Sequence, residues 1–449
     1  MKQDIYDVAI VGGGVCGTAL LYALSNYSNI ERVALIEKKA NVALVNSRKT
    51  NNSQTLHFGD IETNYTLEKA YKVNSAASLV KNYLLKHDSN QEIYTKYHKM
   101  VLAVGAEQAA KLKARYQEFK QLFPQLRLIE RAEIAQVEPQ VLAGRDQSEE
   151  VLALHTQEGY TVDFAKLSAS FLERSLEVKQ KQVDTFFERK VGQIKQQDSY
   201  YSLQLDDRTI QAKAVAVEAG AHSLLMAKAL GYGKDYALLS VAGSFYIAPQ
   251  LLKGKVYTVQ LKKLPFAAIH GDPEVDNPEI TRFGPTAKVL PMLERRNWAT
   301  IGEYFQTAGL SYKAIASFIK ILADLTILRY ILLNLLYDIP IIGKRLFIRQ
   351  VRKIVPDITI QDLKFAKGYG GVRPQIVNLN TRALELGEAK IIGDQILFNI
   401  TPSPGASTCL KNAQDDATRL IEFLGTGYQF DRDRFLTDLS EQLTTNNLS

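Results

Sequence analysis

The chain has 449 residues, of which 46% are hydrophobic and 23% charged, so it can bury a large core and is too long for one simple domain. Its 55 basic residues exceed its 48 acidic ones by a net +7, an excess too small and too dispersed to indicate nucleic-acid binding. The two cysteines, Cys16 and Cys409, cannot form a disulfide framework and show no CxxC spacing. We therefore predict no metal site, and a reducing compartment is favoured.

No targeting or membrane-spanning segment is predicted. The chain runs from Met1 directly into a short apolar strand pattern, without the charged and apolar leader of a signal peptide. No uncharged apolar run reaches the ~18 residues that a spanning helix needs.

The first predicted elements form a βαβ unit. The apolar run Tyr6–Val11 is typical of a buried parallel strand, residues 12–17 form a glycine-rich turn, residues 18–27 predict a helix, and Arg32–Ile36 predicts a second strand. A βαβ unit of about 30 residues is the first half of a dinucleotide-binding domain.

The glycine-rich turn and the end of the second strand carry the strongest local motif. Gly12 permits a tight turn, Gly14 lets the backbone approach a pyrophosphate, and Gly17 lets the helix pack close to the sheet. Glu37, at the end of the second strand, can accept hydrogen bonds from ribose hydroxyls. The motif predicts a dinucleotide but leaves NAD and FAD open.

The rest of the chain alternates between helical and strand-like patterns. Predicted helices are 68–87, 107–123, 164–176, 311–337 and 407–423, and predicted strands are 99–104, 186–194, 200–205, 210–217 and 396–400. Residues 238–298, rich in β-branched and aromatic side chains with Pro and Gly punctuation, predict a sheet.

Two later segments favour FAD. Ala219 and Gly220 follow the strand 210–217 in the manner of the second nucleotide-contacting segment of FAD-dependent oxidoreductases, and Val191 is a further predicted cofactor contact. Residues 402–408 place a turn between a strand and a helix, where N–H groups of Gly405, Ala406 and Ser407 can reach the flavin. The alternative is an ordinary helix cap by Ser407 and Thr408.

Six short motifs, in this order along nearly the whole chain, resemble those of the malate:quinone oxidoreductase family, in its shorter, epsilonproteobacterial-type branch. They are residues 52–57 (NSQTLH), 241–246 (VAGSFY), 264–272 (LPFAAIHGD), 282–286 (RFGPT), 371–375 (GVRPQ) and 401–408 (TPSPGAST). Glu218 departs from the pattern, since relatives often carry Asn there.

The resemblance implies an FAD-dependent enzyme with the fold of glycine oxidase and D-amino-acid oxidase. It implies oxidation of (S)-malate to oxaloacetate in the tricarboxylic acid cycle, with electrons passed to respiratory-chain quinone. It also implies peripheral attachment to the cytoplasmic face of the bacterial inner membrane.

The expected fold is α/β, with a Rossmann-like FAD-binding domain interleaved with an α+β substrate domain on a mostly antiparallel sheet. We assign residues 1–75, 150–235 and 355–435 to the FAD-binding domain, and 76–149 and 236–354 to the substrate domain. Residues 436–449 form a C-terminal tail.

Malate oxidation needs a base for the hydroxyl proton, and histidine suits it because its pKa lies near neutrality. His270, followed by Asp272, is the first candidate and His57 the second, since both lie in family-like motifs. The alternative for either is a structural histidine.

Arginines suit the two substrate carboxylates because a guanidinium grips a carboxylate with two parallel hydrogen bonds. Arg282 and Arg373 are the candidates, and a salt bridge is the alternative for each. Gln54 and Tyr246 are predicted to line the substrate pocket.

Residues 311–337 predict one or two amphipathic helices, followed by the basic residues Lys344, Arg345, Arg349, Arg352 and Lys353. Such a segment can lie in a lipid interface. It cannot span, because Lys320, Asp324 and Arg329 interrupt it. The alternative is a helix packed on its own domain.

Three other functions remain open from sequence: a dehydrogenase of another 2-hydroxyacid such as L-2-hydroxyglutarate, an amino-acid oxidase, and a flavin-bearing binding protein. One methylene in a substrate changes binding by only about 1–3 kcal/mol, so motifs separate the first of these poorly. The quinone type and the oligomeric state are left open.

Overall fold

The structure is a computed structural model, and it describes residues 5–260, 269–309, 311–385, 389–401 and 404–440. In these ranges the strands form three sheets flanked by helices. The predicted mixed α/β class is confirmed. The predicted motif segment 264–268 lies outside the described residues, as do 402–403 of the C-terminal turn and 441–449 of the tail.

The helices are α1 (Val15–Tyr27), α2 (Leu67–His87), α3 (Ala106–Phe119), α4 (Arg131–Val137), α5 (Phe164–Leu176), α6 (Ala221–Ala229), α7 (Thr300–Ala308), α8 (Tyr312–Leu322), α9 (Leu325–Leu336), α10 (Ile342–Val351), α11 (Cys409–Leu424) and α12 (Arg432–Asp438).

The strands are β1 (Tyr6–Val11), β2 (Arg32–Ile36), β3 (Thr55–Leu56), β4 (Tyr94–Val104), β5 (Arg127–Glu130), β6 (Val151–Val162), β7 (Gln182–Phe186), β8 (Gln193–Gln196), β9 (Tyr201–Gln204), β10 (Thr209–Val217), β11 (Tyr236–Ala242), β12 (Tyr246–Pro249), β13 (Lys255–Thr258), β14 (His270–Glu274), β15 (Asn277–Gly284), β16 (Lys288–Val289), β17 (Lys364–Phe365), β18 (Val372–Asn378), β19 (Ala383–Glu385), β20 (Ala389–Ile392) and β21 (Ile396–Ile400).

The first sheet has the order β20-β21-β10-β1-β2-β7, with β9 and β8 added beside β10. Its central pairings, β21 with β10, β10 with β1, β1 with β2 and β2 with β7, are parallel. Val8 and Ile10 face a core shared with α1, α5 and α11, whereas Ala9 and Val11 face a core that includes α6. Both faces are covered, which explains the continuous apolar run of β1.

The second sheet has the order β17-β12-β15-β14-β13-β4-β6-β3, with β5 beside β6. Its pairings are antiparallel except for β13 with β4. The third sheet, β16-β11-β18-β19, is antiparallel. These two sheets agree with the mostly antiparallel region that the sequence predicts.

The strands of the first sheet come from three separate parts of the chain, 6–36, 182–217 and 389–400, and those of the second sheet lie in between. The chain therefore passes repeatedly from one sheet to the other. The domain boundaries given above stay a prediction.

One local prediction is refined and one is partly wrong. The segment 311–337, predicted as one or two helices, forms two, because the Asp324 side chain accepts hydrogen bonds from the Thr326 and Ile327 N–H groups and so begins α9. The strand predicted over 186–194 is interrupted: β7 ends at Phe186, β8 begins at Gln193, and residues 187–192 form a connection in which Glu188 has a φ of 55°. No helix in the described part of the chain combines the length and apolarity needed to cross a membrane.

Candidate active site

A long groove runs across the carboxyl ends of the central strands of the first sheet. Val11, Ile36 and Thr401 line it at or directly after the ends of β1, β2 and β21, and Glu218 lines it directly after β10. Open α/β sheets bind their ligands at this edge. The groove is therefore the candidate site for the predicted dinucleotide.

The three glycines of the motif, two in the turn before α1 and Gly17 in the first turn of the helix, differ in what surrounds them. A Cβ on Gly12 would lie 2.5 Å from the Glu218 carbonyl oxygen, and one on Gly17 would lie 1.9 Å from the Gly12 oxygen. A Cβ on Gly14 would meet nothing nearer than Ser47 Oγ at 3.5 Å, and Gly14 lines the groove. Gly12 and Gly17 are thus required by close packing, whereas Gly14 leaves backbone open toward the groove, as a pyrophosphate contact requires.

Glu37 lies at the groove after β2, where its carboxylate is held by the backbone. Its Oε2 accepts from the Gly13 N–H at 2.7 Å and its Oε1 from the Lys39 N–H at 2.9 Å. A carboxylate has about four acceptor positions, so both oxygens can still accept from ribose hydroxyls.

The other predicted cofactor contacts line the same groove: Val191, Ala219, Gly220, Gly405, Ala406 and Ser407. Gly220 has a φ of 58° and no atom within 4 Å of the position of a Cβ. Ser407 Oγ accepts from the His57 N–H at 2.9 Å, and no side chain caps α11 at Thr408. The ordinary helix cap is therefore the weaker interpretation of this turn.

His57 lies in the groove beside a buried carboxylate. Its Nδ1 is 2.6 Å from Glu62 Oε1, and the imidazole is 17% exposed. Burial raises the pKa of Glu62, but the hydrogen bond from His57 and the charge of Lys99 outweigh burial and leave that pKa below its usual range. An ionised Glu62 can only accept, so Nδ1 of His57 carries a proton, and in the neutral form of the imidazole Nε2 is the acceptor.

Arg373, in β18, also lines the groove and is half-buried. Across the described ranges no ion pair joins Arg373 to a carboxylate, and the titratable group that acts on its charge is Tyr330. Burial lowers the pKa of Arg373, but an arginine stays cationic at neutral pH. The groove thus holds a cation without a protein counter-ion, which suits an anionic ligand.

Arg282 and His270 lie instead in a fully buried charged cluster with Asp272 and Lys255. Asp272 Oδ2 is 2.7 Å from Arg282 Nη2 and 3.4 Å from Lys255 Nζ, and its Oδ1 is 3.2 Å from His270 Nε2. Burial lowers the pKa of Lys255 to about 8. Burial also raises the pKa of Asp272, but the two cations hold it well below its usual range. Burial lowers the pKa of His270 as well.

This cluster lies behind the groove and contacts residues that line it. Arg282 Nη2 donates to the Ser53 carbonyl at 3.1 Å, and Lys255 Nζ donates to Thr55 Oγ1 at 3.1 Å. Ser53 and Thr55 both line the groove. Of the four predicted catalytic residues, the structure thus brings His57 and Arg373 together in the groove, with His270 and Arg282 in the layer beneath; the catalytic roles stay predictions.

Gln54 and Tyr246 are both fully engaged by the protein. The backbone of Gln54 has a φ of 54°. Its side-chain amide donates to the Lys49 carbonyl at 3.0 Å and accepts from the Val275 N–H at 3.0 Å. Tyr246 lies in an apolar core, stacks on Phe347 and donates to the Tyr337 carbonyl at 2.6 Å. Their assignment to a substrate pocket stays a prediction that these locations do not support.

Sequence reasoning missed Glu62 and Lys255. Glu62 follows His57 by five residues, and a carboxylate so close to a candidate base is a usable signal. Lys255 has no such signal, because its partners Thr55 and Asp272 come from other strands. No group of three or more His, Cys, Asp or Glu side chains that could hold a metal is found in the described ranges.

Comparison with known proteins gives one family and close relatives. The family model Malate:quinone oxidoreductase (Mqo) matches residues 4–415. A curated "Probable malate:quinone oxidoreductase" of Campylobacter jejuni is 42% identical over 98% of this chain and 100% of its own length. The malate:quinone oxidoreductase of Helicobacter pylori strain 26695 is 41% identical over 97% and 98%.

Two solved structures share the fold. The L-alpha-glycerophosphate oxidase of Mycoplasma pneumoniae with FAD bound superposes with a TM-score of 0.65 at 18% identity, covering 94% of this chain and 95% of that chain. The glycine oxidase of Geobacillus kaustophilus gives 0.64 at 18% identity, covering 96% and 97%. The predicted relation to the glycine oxidase fold is thus confirmed.

Proposed function

The chain belongs to the malate:quinone oxidoreductase family, and we propose that it oxidises (S)-malate to oxaloacetate, with FAD as hydride acceptor and membrane quinone as final electron acceptor. The observation that carries this proposal is the groove, which glycine backbone, the candidate base His57 and the cation Arg373 all line. Malate loses two electrons and two protons in the reaction, and quinone gains them to become quinol.

The residues of the groove fit FAD. The open backbone at Gly14 and the N-terminus of α1 suit the pyrophosphate, and Glu37 suits a ribose. Val191, Ala219 and Gly220 suit the adenosine half, and Gly405, Ala406 and Ser407 suit the flavin. When bound, FAD supplies the acceptor for the hydride that leaves malate C2.

His57 and Arg373 supply the chemistry that the protein itself must provide. Arg373 binds a substrate carboxylate through its planar guanidinium. Glu62 fixes the tautomer of His57, so that Nε2 can accept the proton of the malate hydroxyl. Arg282, Lys255 and Asp272 hold the segment 53–55 from beneath and so position the wall of the groove.

The test is the visible spectrum of the purified protein under anaerobic conditions, before and after addition of L-malate. Loss of flavin absorbance with malate, and less loss with L-2-hydroxyglutarate or amino acids, supports both the cofactor and the donor. A flavin band that ignores malate but responds to another of these donors contradicts the substrate assignment. No flavin after FAD is supplied contradicts the cofactor.

A peripheral membrane location is part of the proposal. Most of the exposed large apolar side chains of the described residues fall within 298–342, and we call this set the apolar surface: Trp298, Phe305, Tyr312, Ile315, Ile319, Leu322, Leu325, Leu332, Leu335, Leu336, Ile339, Ile341 and Ile342. In α8 the small residues Ala314 and Ser317 are buried, while Tyr312 and Ile319 are exposed. The outward apolar side favours a lipid interface over packing on the protein's own domain.

The basic residues predicted to accompany this surface lie on or just after α10. Arg345, Arg349, Arg352 and Lys353 are exposed, and Lys344 is half-exposed. Each such cation near an anionic lipid surface contributes about 1 kcal/mol. Attachment to the cytoplasmic face of the bacterial inner membrane is accordingly the location that we assign to the enzyme.

A further inference from the structure

A second cavity, of about 400 Å³, lies between helices α7, α8 and α9 and the third sheet. Its walls are almost wholly apolar and include Tyr304, Ala308, Phe318, Leu328 and Ile331. Ligand cavities of this size usually place a few polar groups to orient a polar ligand. A cavity without such groups suits a hydrocarbon chain.

The cavity adjoins the apolar surface. Phe305, Ile315 and Leu322 contribute to its lining and are at the same time 45%, 47% and 40% exposed. A molecule dissolved in lipid that covers these side chains can therefore reach the cavity without crossing water.

The cavity also lies close to the groove along the third sheet. Leu239 lines the cavity, and Val241, two positions further along β11, pairs with Arg373 of the groove. Two positions along a strand span roughly 7 Å. Directly opposed residues lie on the same face of a sheet, so Leu239, Val241 and Arg373 share one face.

We propose that this cavity binds the apolar side chain of the quinone, which enters from the lipid and brings its ring to the groove side of the third sheet. This inference rests on the function proposed above, in which quinone takes up two electrons and two protons to become quinol. The exposed lining gives access from the membrane, and β11 connects the cavity to the groove through Leu239 and Val241.

The test fills the cavity without touching the groove. Ala308→Phe adds bulk from α7, where Ala308 is buried, and Leu328→Trp adds bulk from the half-buried lining of α9. The control is Leu176→Trp, the same substitution at the end of α5, where the side chain is 53% exposed and lies in neither the cavity, the groove nor the apolar surface. Two filling variants are made so that the test still holds if one of them fails to fold.

Flavin in each variant is reduced with dithionite and its reoxidation is followed with decylubiquinone and with the same quinone ring lacking a side chain. Both filling variants should slow reoxidation by decylubiquinone about tenfold or more, because the buried apolar area of the side chain is lost. Reoxidation of the filling variants by the ring alone should change less than about twofold. Every rate of Leu176→Trp should likewise change less than about twofold.

An equal loss with both quinones, or no loss with either, would overturn the proposal. Binding of each variant to lipid vesicles is measured by flotation in parallel. Filling variants that are reoxidised normally but no longer float with vesicles would also overturn the proposal, since that result would assign the cavity to a lipid acyl chain. Because dithionite replaces malate, a wild-type enzyme that ignores malate would count against the proposed substrate and leave this assay intact.

Discussion

At the scale of single residues, His57 and His270 occupy different layers of the protein. His57 is in the groove with Glu62 beside it, whereas His270 is in the buried cluster with Asp272. His57→Ala should therefore lower the rate of flavin reduction by malate by about 10²–10⁴, the usual contribution of a general base. Stopped-flow absorbance under anaerobic conditions measures this rate.

His270→Ala is the comparison for that experiment. It should leave flavin reduction within about tenfold of wild type, with any loss traced to a lower unfolding temperature. If His270→Ala is the variant that loses catalysis while His57→Ala retains it, the assignment of the base is reversed.

Arg373 and Arg282 should respond differently to the same substitution. Arg373→Met should lower kcat/KM for malate by about 10–100-fold with little change in stability, because it removes a charged hydrogen bond to the substrate. Arg282→Met should lower the free energy of unfolding by about 3–5 kcal/mol, because it breaks a buried ion pair with Asp272. Steady-state kinetics and denaturant unfolding separate the two, and an unchanged kcat/KM in Arg373→Met would remove that residue from the substrate site.

The residues that could be predicted are those whose role is set by local spacing or by a motif. The motif spacing predicts Gly12, Gly14 and Glu37, which line the groove, and Gly17, which packs against the Gly12 backbone. Lys255 could not be predicted, because its environment is made by strands that are distant in the sequence.

At the scale of elements, the start of α1 combines a ligand-binding task at Gly14, directly before the helix, with a structural task at Gly17, in its first turn. Gly14→Ala should fold with little loss, since the new Cβ meets only Ser47 Oγ at 3.5 Å, but should purify with a lower flavin content. Gly17→Ala should lower the unfolding temperature even of the flavin-free protein, since its Cβ would lie 1.9 Å from the Gly12 oxygen. The flavin-to-protein absorbance ratio and thermal unfolding of the flavin-free protein measure the two effects.

The reverse pattern, with Gly14→Ala unstable and Gly17→Ala fully flavinated, would contradict this division of roles. A matched substitution is available at Gly302, in the first turn of α7, where a Cβ meets no atom within 4 Å. Gly302→Ala should lower neither the flavin content nor the unfolding temperature.

Elements with a strong local pattern were predictable, and elements defined by their partners were not. The βαβ unit β1-α1-β2 shows apolar runs and a glycine turn in the sequence itself. Strand β6 carries His155, Thr156 and Glu158 in its centre and gives no clear alternation. It is a strand because β4, β5 and β3 all pair with it.

At the scale of the whole molecule, strand order depends on pairings that no local pattern contains. Strand β1 pairs with β10, about 200 residues later, and β10 in turn pairs with β21 near the C-terminus. The fold class could be predicted because the motifs resemble a known family, and that family is confirmed. Periodicity alone would have given a dinucleotide unit without the arrangement of the second and third sheets.

Membrane attachment is a property of the whole surface, and the sequence provides a reporter for it. Trp298 is the only tryptophan of the chain, lies in the apolar surface and is 73% exposed. Vesicles rich in phosphatidylglycerol should shift its emission to shorter wavelength, and brominated lipids should quench it. Neutral vesicles should bind more weakly, because the exposed cations on and after α10 then lack anionic headgroups.

Leu325→Glu should weaken this binding about tenfold or more, since it replaces a buried leucine contact with lipid, worth about 1.5–3 kcal/mol, by a charge. Leu325 is 78% exposed in the protein, so the substitution should not alter its stability. Leu176→Glu, at a 53% exposed position at the end of α5, is the control and should bind vesicles as wild type does. If both variants bind equally well, the apolar surface does not enter the lipid, because a charge at its most exposed leucine would then cost nothing.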